Sequence, residues 1–303
     1  MEPNWQLARK RAVLEQRARI LQQIRAFFVA RDFLEVETPQ RLPANAPESH
    51  IDGVPSADWF LQTSPELCMK RLLAAGYERL FQICRCWREG ERGDFHLPEY
   101  SMLEWYHRQA DYRQLMDDCE ELLSTLVPTS TLHRQGAVID LTRPWPRLTV
   151  AEAFDRYSAL SLRQALDQQQ FDPIMALRIE PQLPRDRPLF LCDYPAEQAS
   201  LARKKPDNPT VAERVELYLG GLELANGFSE LTDPVEQRAR FAAEEAERRR
   251  QNKPPYPSPE PFLTELATLP PSSGIALGID RLIMLLCDQP RIDEVVSFTP
   301  EQL

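Results

Sequence analysis

The chain has 303 residues, of which 43% are hydrophobic and 27% charged, so it has enough apolar material to bury a core. Its 36 Lys and Arg against 46 Asp and Glu give a net charge of −10. Since neutralising phosphates supplies much of the affinity for a long nucleic acid, this charge disfavours such a partner. No apolar run approaches the roughly 20 residues that cross a bilayer, which argues against a membrane protein.

The six cysteines are spread along the chain, and none of them forms a Cys-x-x-Cys pair. They are Cys68, Cys84, Cys86, Cys119, Cys192 and Cys287. Most lie inside apolar runs, which is typical of buried free thiols in a reducing compartment, so we expect a cytoplasmic protein. The four histidines are not spaced with a cysteine as a ligand pair, which argues against a zinc site.

The first sixty residues predict a helix, a strand and a loop. Residues 6–31 place four apolar side chains on one stripe at helical spacing, namely Ile20, Ile24, Phe27 and Phe28. Residues 33–39 alternate apolar and acidic side chains and end in a proline, the pattern of a strand running into a loop. The proline, small and polar residues of 40–58 predict that loop.

The next segment predicts a helix followed by two strands and a further helix. Ser, Pro and Glu at 64–66 form a helix start, and Gly76 supplies the matching end. Residues 79–87 and 99–108 are rich in strand-forming side chains and flank a charged loop. A second helix is expected at about 110–126.

The second half of the chain is harder to interpret over 127–210, where we predict mixed helix and loop with one strand at 189–195. Residues 215–228 are strand-like, with a turn at Gly220 and Gly221. A helix with a Thr-Asp-Pro start follows, and its Arg248-Arg249-Arg250 run lies among glutamates, as on a solvated helix face.

The end of the chain predicts a proline-rich loop over 254–271 and then a strand that passes into a helix near Asp280. We find no linker-like stretch and no internal repeat. The expected fold is α+β: one domain, 1–303, in which an antiparallel β-sheet is flanked by helices.

Residues 99–108 place a carboxylate in an unusual position. Alternate strand residues share a face, so Tyr100, Met102, Glu104 and Tyr106 project together. An unpaired charge on a covered sheet face costs several kcal/mol, so Glu104 requires a cation. Two sources are open: an internal Arg or Lys, or a positively charged substrate.

Three further acids lie in the apolar, glycine-containing stretch 215–230. They are Glu216, Glu223 and Glu230, and Asn226 lies between the last two. Converging carboxylates suit either a divalent metal with oxygen ligands or a cationic substrate. A purely structural role is the alternative.

Two arginines supply the opposite charge. Arg88 ends one predicted strand and Arg281 opens the last helix, and the planar guanidinium fork suits phosphate or carboxylate oxygens. Near Arg281, Gly274, Ala276 and Gly278 form a strand face with almost no side chains. Such a face lets a flat ligand approach the backbone, although tight strand–helix packing explains it equally well.

Together these segments resemble a known family. Residues 78–106, 216–231 and 274–285 resemble, in order, the signature motifs of class II aminoacyl-tRNA synthetases. The details of 33–39 and 223–231 resemble the lysyl branch. The resemblance implies a class II catalytic domain that uses ATP and Mg²⁺ to form an aminoacyl-adenylate.

Only 32 residues precede Phe33, too few for the anticodon-binding domain of a lysyl-tRNA synthetase. A short stand-alone catalytic domain is similar to the elongation factor P–(R)-β-lysine ligase family, which transfers a lysyl group to a lysine side chain of elongation factor P. Ala276 stands where the synthetases have glycine, and in the ligase family this alanine is linked to preference for the β-amino acid. The resemblance also implies a homodimer formed through the first helix and the strand at 33–39.

Two alternatives stay open. A minimal lysyl-tRNA synthetase-like enzyme could charge tRNA or another RNA, although the negative charge disfavours tRNA. A paralogue could instead make free small molecules, or only bind and regulate. Retention of Arg88, Arg281, Glu216 and Glu223 within the resembling motifs argues against a binding module.

For ATP, the resemblance implies one role at each of four positions. Arg88 would hold the α-phosphate and the substrate carboxylate, and Arg281 would bind the γ-phosphate. His96 would contact the phosphates, and Tyr100 would stack on adenine. With these groups in place, positioning and electrostatic stabilisation suffice, and no side chain need be a nucleophile.

For the metal and the amino acid, the resemblance implies a second set of roles. Glu216 and Glu223 would hold Mg²⁺, Glu66 would meet the substrate amino group near the backbone, and Asn226 would meet its carboxylate. The far ammonium is assigned to three residues: Glu104, Tyr106 and Glu230.

The sequence departs from the family pattern beside Arg88. The family has a glutamate near adenine at the position that Gly90 occupies here, and Leu97 replaces a usual asparagine. Either Glu89 or Glu91 substitutes after a local loop shift, or the adenine contact is absent.

Overall fold

The computed structural model describes residues 4–303, so the first three residues of the predicted domain lie outside it. Two compact units are present. Unit 1 runs to Gln109 and continues with Thr232–Ser272 and Ala276–Leu303, whereas unit 2 comprises Ala110–Leu231 and Ser273–Ile275. Over 4–303, no helix is both long and apolar enough to span a bilayer.

In chain order the helices are α1 (Trp5–Arg9), α2 (Arg11–Val29), α3 (Glu66–Ala74), α4 (Tyr112–Leu126), α5 (Val150–Tyr157), α6 (Leu162–Asp167), α7 (Phe171–Ile174), α8 (Pro234–Arg250), α9 (Glu260–Glu265) and α10 (Ile279–Leu286). The strands are β1 (Leu34–Glu35), β2 (Arg41–Leu42), β3 (Pro55–Ser56), β4 (Trp59–Leu61), β5 (Arg79–Trp87), β6 (Glu99–Arg108), β7 (Thr131–Arg134), β8 (Ala137–Asp140), β9 (Arg147–Thr149), β10 (Leu189–Pro195), β11 (Val211–Leu219), β12 (Leu222–Ser229) and β13 (Ser272–Gly278).

In unit 1 the predicted first helix is divided at Lys10 into α1 and α2. All four residues of the predicted apolar stripe are buried. Phe28 stacks on Phe81 of β5 at 4.9 Å between ring centroids and lies 5.2 Å from Trp105 of β6. An aromatic core therefore fixes α2 against this strand pair.

Strands β5 and β6 have the predicted bounds and pair antiparallel from Arg79 opposite His107 to Trp87 opposite Glu99. β1 pairs with β5 in parallel and is shorter than predicted. The loop predicted over 40–58 is wrong in part, because β2 and β3 lie within it and both pair with β4. These strands are too short to produce a readable alternation.

Helix α3 begins and ends as predicted. The backbone N–H of Glu66 donates to Ser64 Oγ over 3.0 Å, and Gly76 follows the helix with a φ of 107°, a conformation that favours glycine. The loop predicted over 254–271 is wrong in part, because it contains α9 with a proline in its first turn. Proline is tolerated there because the first turn has no helical acceptor for its missing N–H.

The predicted solvated arginine run on α8 requires a correction. Arg249 and Arg250 are exposed, but Arg248 is 1% exposed. Its guanidinium donates to three carbonyl oxygens, those of Glu48, Ile51 and Pro254. It also pairs with Asp52 at 3.0 Å and lies over the Tyr256 ring. These loop acceptors engage Nη1 and Nη2 and compensate the buried charge, while Nε is buried without a hydrogen-bond partner among residues 4–303.

Unit 2 contains the strand order β12-β11-β10-β9, in which β9 and β10 are parallel and the other pairs antiparallel. The predicted turn is confirmed: Gly220 and Gly221 have φ of 58° and 79°, as in a type I′ hairpin. The predicted strand at 189–195 is confirmed as β10. However, β7, β8 and β9 also lie within 127–210, so the prediction of one strand there was wrong.

Candidate active site

Glu104 lies on β6 with both carboxylate oxygens engaged by hydroxyl groups. Ser64 Oγ donates to Oε1 over 2.6 Å, and Tyr106 Oη donates to Oε2 over 2.8 Å. The second bond confirms that Glu104 and Tyr106 share a strand face. Burial, followed by the charge of Glu66, raises the pKa of Glu104 to about 7.

Glu66, the first residue of α3, already has an ammonium partner. Lys70 lies one turn later, is buried, and donates from Nζ to Glu66 Oε1 over 2.5 Å. Lys70 is therefore an internal cation near both acids: it pairs with Glu66, and its charge also acts to lower the pKa of Glu104, although burial and Glu66 outweigh it. Sequence reasoning missed Lys70, although its i,i+4 spacing from Glu66 was a readable signal.

Arg88 follows β5 and lies among acidic and aromatic groups. Its guanidinium carbon is 5.3 Å from the centre of the Tyr100 ring, and Nη1 is 3.7 Å from Glu91 Oε1. Burial lowers the pKa of Arg88, but Tyr100, Glu91 and Glu48 raise it overall, so Arg88 is a permanent cation. Tyr100 is fixed by its hydroxyl, which donates to the carbonyl of Thr63 over 3.0 Å.

The loop after Arg88 contains Gly90, which occupies the position of the family's glutamate near adenine. Gly90 has a φ of 77°, and the backbone N–H of Glu91 donates to the Arg88 carbonyl over 3.4 Å. This turn returns the Glu91 side chain to Arg88, whereas Glu89 is exposed. Of the two predicted substitutes, Glu91 is therefore the one that lies beside Arg88.

His96 and Arg281, both assigned to the phosphates by the resemblance, lie in contact with each other. Arg281 Nη2 contacts His96 Nε2, and Arg281 Nε donates to the Phe95 carbonyl over 3.3 Å. Burial, followed by the positive charge of Arg281, lowers the pKa of His96. The imidazole is therefore neutral near pH 7 and accepts from Arg281, leaving one concentrated positive charge at the start of α10.

Asp280 fixes the start of α10 and was not predicted to have a role. Its Oδ1 pairs with Arg17 of α2 at 2.5 Å, and its Oδ2 accepts from the Ser101 backbone over 2.7 Å. Arg281 is the next residue, so these bonds set its position. On the preceding strand β13, Ala276 and Gly278 are half-buried, whereas Gly274, the third residue of the predicted open face, is buried.

Unit 2 gathers the predicted metal-site residues on one face of the β11–β12 hairpin. Glu216 is opposite Asn226, and Tyr218 is opposite Glu223, so all four side chains share that face. Tyr218 Oη donates to Glu216 Oε2 over 2.9 Å. Arg214, two residues before Glu216, donates to its Oε1 over 2.6 Å.

Glu230 is 1% exposed and pairs with Ala202 through an isolated β-bridge just after β12. Gly227 lies so close to Ile275 that an added Cβ would be 2.7 Å from the isoleucine Cβ. The glycine between Asn226 and Glu230 is therefore a packing requirement.

Both groups fit the charges of their expected ligands. Arg88, Arg281 and neutral His96 offer donors to a triphosphate. Glu216 and Glu223 supply two carboxylates, and oxygen ligands of this kind suit Mg²⁺. Within 4–303 no set of three Asp, Glu, His or Cys forms a metal cage, and Mg²⁺ needs only one or two protein carboxylates beside phosphate and water.

Comparison with known proteins gives the family. The model for class II tRNA synthetases of the D, K and N type matches residues 5–302. The chain belongs to this family. The predicted resemblance and the α+β synthetase fold are thereby confirmed.

Among members of this family, an elongation factor P–(R)-β-lysine ligase from Vibrio atlanticus is 38% identical over 98% of each chain. A protein of the same description from Edwardsiella ictaluri is 38% identical over 99% of this chain and 98% of its own. A lysine–tRNA ligase from Moorella thermoacetica is also 38% identical, but the match spans 93% of this chain and 64% of that protein. The matches therefore cover 98% of each of these two ligases but 64% of the lysine–tRNA ligase.

Proposed function

We propose that this chain is an ATP-dependent ligase that activates (R)-β-lysine, or lysine, and transfers it to a lysine side chain of elongation factor P. The observation that carries the proposal is the match to proteins described as elongation factor P–(R)-β-lysine ligases over 98% of both chains. The buried carboxyl group of Glu104, with Glu66 beside it, supports a substrate with an ammonium at its far end.

The residues of unit 1 bind and activate ATP in this proposal. Arg88 holds the α-phosphate, Arg281 and His96 hold the outer phosphates, and Tyr100 stacks on adenine. A carboxylate oxygen of the amino acid attacks the α-phosphorus, and pyrophosphate leaves. The arginines stabilise the charge that develops on the phosphoryl oxygens, so placement and electrostatics lower the barrier.

The amino acid is recognised by its two charged ends. Glu66 meets the amino group near the backbone, Asn226 donates to the carboxylate, and Ala276 borders the backbone end and favours the β-isomer. The far ammonium is received by three residues, Glu104, Tyr106 and Glu230. In the second step the acceptor lysine amine attacks the acyl carbon, and AMP leaves.

Glu216 and Glu223 hold Mg²⁺ in this proposal. The metal would offset the negative charge of the phosphates, and the β11–β12 hairpin would orient the two carboxylates toward it. Arg214 and Tyr218 fix Glu216 from both oxygens, which supports its role as a preformed ligand.

Three further expectations complete the proposal. The homodimer would form through α2 and β1, and exposed Val29 and Leu34 support such a surface. The six free cysteines support a reducing, cytoplasmic location. The net charge of −10 disfavours tRNA as the acceptor.

The deciding experiment follows labelled lysine and (R)-β-lysine, with ATP and Mg²⁺, onto purified elongation factor P and, in parallel, onto tRNA. We expect label on the protein, none on tRNA, and faster transfer of the β-isomer. An Arg88→Met variant should lose lysine-dependent pyrophosphate exchange at least a hundredfold. Label on tRNA alone would replace the proposal with a minimal synthetase.

A further inference from the structure

Arg214 of β11 makes a different contact with each of its three guanidinium nitrogens. Nη2 donates to Glu216 Oε1 over 2.6 Å, Nε to Asn226 Oδ1 over 3.2 Å, and Nη1 to the Gln198 carbonyl over 3.0 Å. The guanidinium carbon lies 4.4 Å from the centre of the Tyr194 ring. One planar group thus joins two strands and an aromatic face within unit 2.

The bond to Asn226 determines which way its amide is turned. An asparagine side chain has one accepting oxygen and one donating NH₂ group, and their assignment follows from the hydrogen-bond network. Because Oδ1 accepts from Arg214, the NH₂ group faces away from the guanidinium. Asn226 therefore presents donors, which suit an anionic oxygen such as that of a carboxylate.

The bond to Glu216 acts on the neighbouring carboxylate. Its two oxygens accept from Arg214 and from Tyr218, which fixes the plane of the group. Burial lowers the pKa of Arg214, but the charge of Glu216 raises it overall, so the guanidinium stays cationic. The remaining lone pairs of the Glu216 oxygens are available to a metal.

We propose that Arg214 is a positioning residue that orients two ligand-binding groups at once. This inference rests on the proposed function. Arg214 sets the metal carboxylate through Glu216, and through Asn226 it sets the amide that receives the substrate carboxylate. Lysine cannot replace it, because a single ammonium nitrogen lacks the planar fork that reaches Glu216, Asn226 and Gln198 together.

The test compares Arg214→Lys and Arg214→Met with wild type in lysine-dependent pyrophosphate exchange, titrating lysine and Mg²⁺ separately. We expect both the KM for lysine and the Mg²⁺ concentration for half-maximal rate to rise at least tenfold. Arg214→Lys keeps a positive charge near the Tyr194 ring. It therefore tests the role of the planar guanidinium even if Arg214→Met does not fold.

A matched control is available in the same unit. Arg203 pairs with Glu213 at 2.7 Å, and Glu213 is adjacent to Arg214 on β11. Arg203→Met removes a comparable arginine–carboxylate pair, and we expect both titrations to stay within twofold of wild type. A general loss of stability would move both variants alike.

A double-mutant cycle separates positioning from general weakening. If Arg214 acts through Asn226, Arg214→Lys should raise the KM for lysine in wild type but change it less than twofold in Asn226→Ala. Equal and additive effects in both backgrounds, or an unchanged KM in folded Arg214→Lys, would overturn the inference.

A readout without turnover keeps this test independent of the proposed function. The side-chain NH₂ resonances of Asn226, assigned with Asn226→Asp, should shift in Arg214→Lys and stay in place in Arg203→Met. Wild type lacking lysine-dependent exchange would reject the proposed function alone. Unmoved NH₂ resonances in Arg214→Lys would reject the role of Arg214.

Discussion

At the scale of single residues, the protonation of Glu104 connects burial with substrate recognition. Its pKa is raised from the ordinary 4.5 to about 7, mainly by burial. The folded protein therefore holds this proton more tightly than the unfolded chain does. The resulting stabilisation is fully present below pH 4.5 and is lost as the pH rises through about 7.

The first prediction follows from the direction of this pKa shift. Between pH 4.5 and 8, the free energy of unfolding of the ligand-free protein should fall by about 3 kcal/mol more in wild type than in Glu104→Gln. The glutamine keeps the shape of the side chain without titrating. Urea unfolding at a series of pH values measures the difference, and parallel curves for the two proteins would contradict the assignment.

The second prediction concerns lysine binding. An ammonium placed beside Glu104 favours the ionised carboxylate and lowers its pKa. Lysine affinity should therefore rise by up to about tenfold per pH unit below pH 7 and level off above it. Calorimetry in buffers of different ionisation enthalpy should detect release of a proton near pH 6. In Glu104→Gln, binding should be weak and no proton should be released.

The sequence indicated part of this pocket. Strand alternation alone placed Glu104 and Tyr106 on one face, and their hydrogen bond confirms it. The bond from Ser64 was not predictable, because it depends on where α3 begins relative to β6. The same limit applies to Arg214, because its partner Asn226 lies on the neighbouring strand. The register of these two strands depends on the Gly220–Gly221 turn.

At the scale of elements, hydrogen bonds from Arg248 connect the loop near residue 50 to the end of α8. The loop in turn supports the segment after Arg88, since the Glu89 backbone N–H donates to the Asp52 carbonyl over 2.7 Å. Arg248 therefore contributes both to folding and to the shape of the proposed ATP site.

The third prediction tests this connection. Arg248→Met should lower the free energy of unfolding by about 3 kcal/mol or more, because it leaves three loop carbonyls without their donor at about 1–3 kcal/mol each, while Asp52 keeps its pair with Lys253. It should also raise the KM for ATP. Arg249→Met, one residue away and exposed, should change stability by less than about 0.5 kcal/mol. Similar denaturation midpoints for the two variants would refute the assignment.

Sequence patterns predicted the long elements and missed the short ones. β5 and β6 each run through nine or ten residues of strand-forming side chains, and their bounds were predicted correctly. The six residues of α9 lie among prolines, which we interpreted only as loop markers. Arg248 was predicted to be exposed because its neighbours in the sequence are charged. Its acceptors are carbonyls that are distant in sequence, so the local pattern does not reveal them.

At the scale of the whole molecule, unit 1 joins both ends of the described chain. Lys10 donates to the Val296 carbonyl over 3.1 Å, and Arg17 pairs with Asp280 across 263 positions. No local pattern predicts such pairs, which is why the support for Arg281 was not predicted from sequence.

The fourth prediction concerns the last twelve residues. Deleting 292–303 removes three buried apolar side chains, those of Ile292, Val295 and Val296. At about 1.5–3 kcal/mol for each side chain, the loss approaches the total stability of many proteins. The truncated chain should lack a cooperative unfolding transition in circular dichroism, whereas deletion of Leu303, which is 95% exposed, should leave the transition unchanged. A cooperative transition in the longer deletion would show that these residues are dispensable.

The link between Arg17 and Asp280 also has a consequence in time. A ribosome adds about 5–20 residues per second, so the 263 positions that separate these partners take about 13–53 s to synthesise. During that interval α2 has been synthesised, but Asp280, with which its Arg17 pairs, has not. The speed of translation, and not the speed of folding, therefore sets the earliest moment at which unit 1 can close.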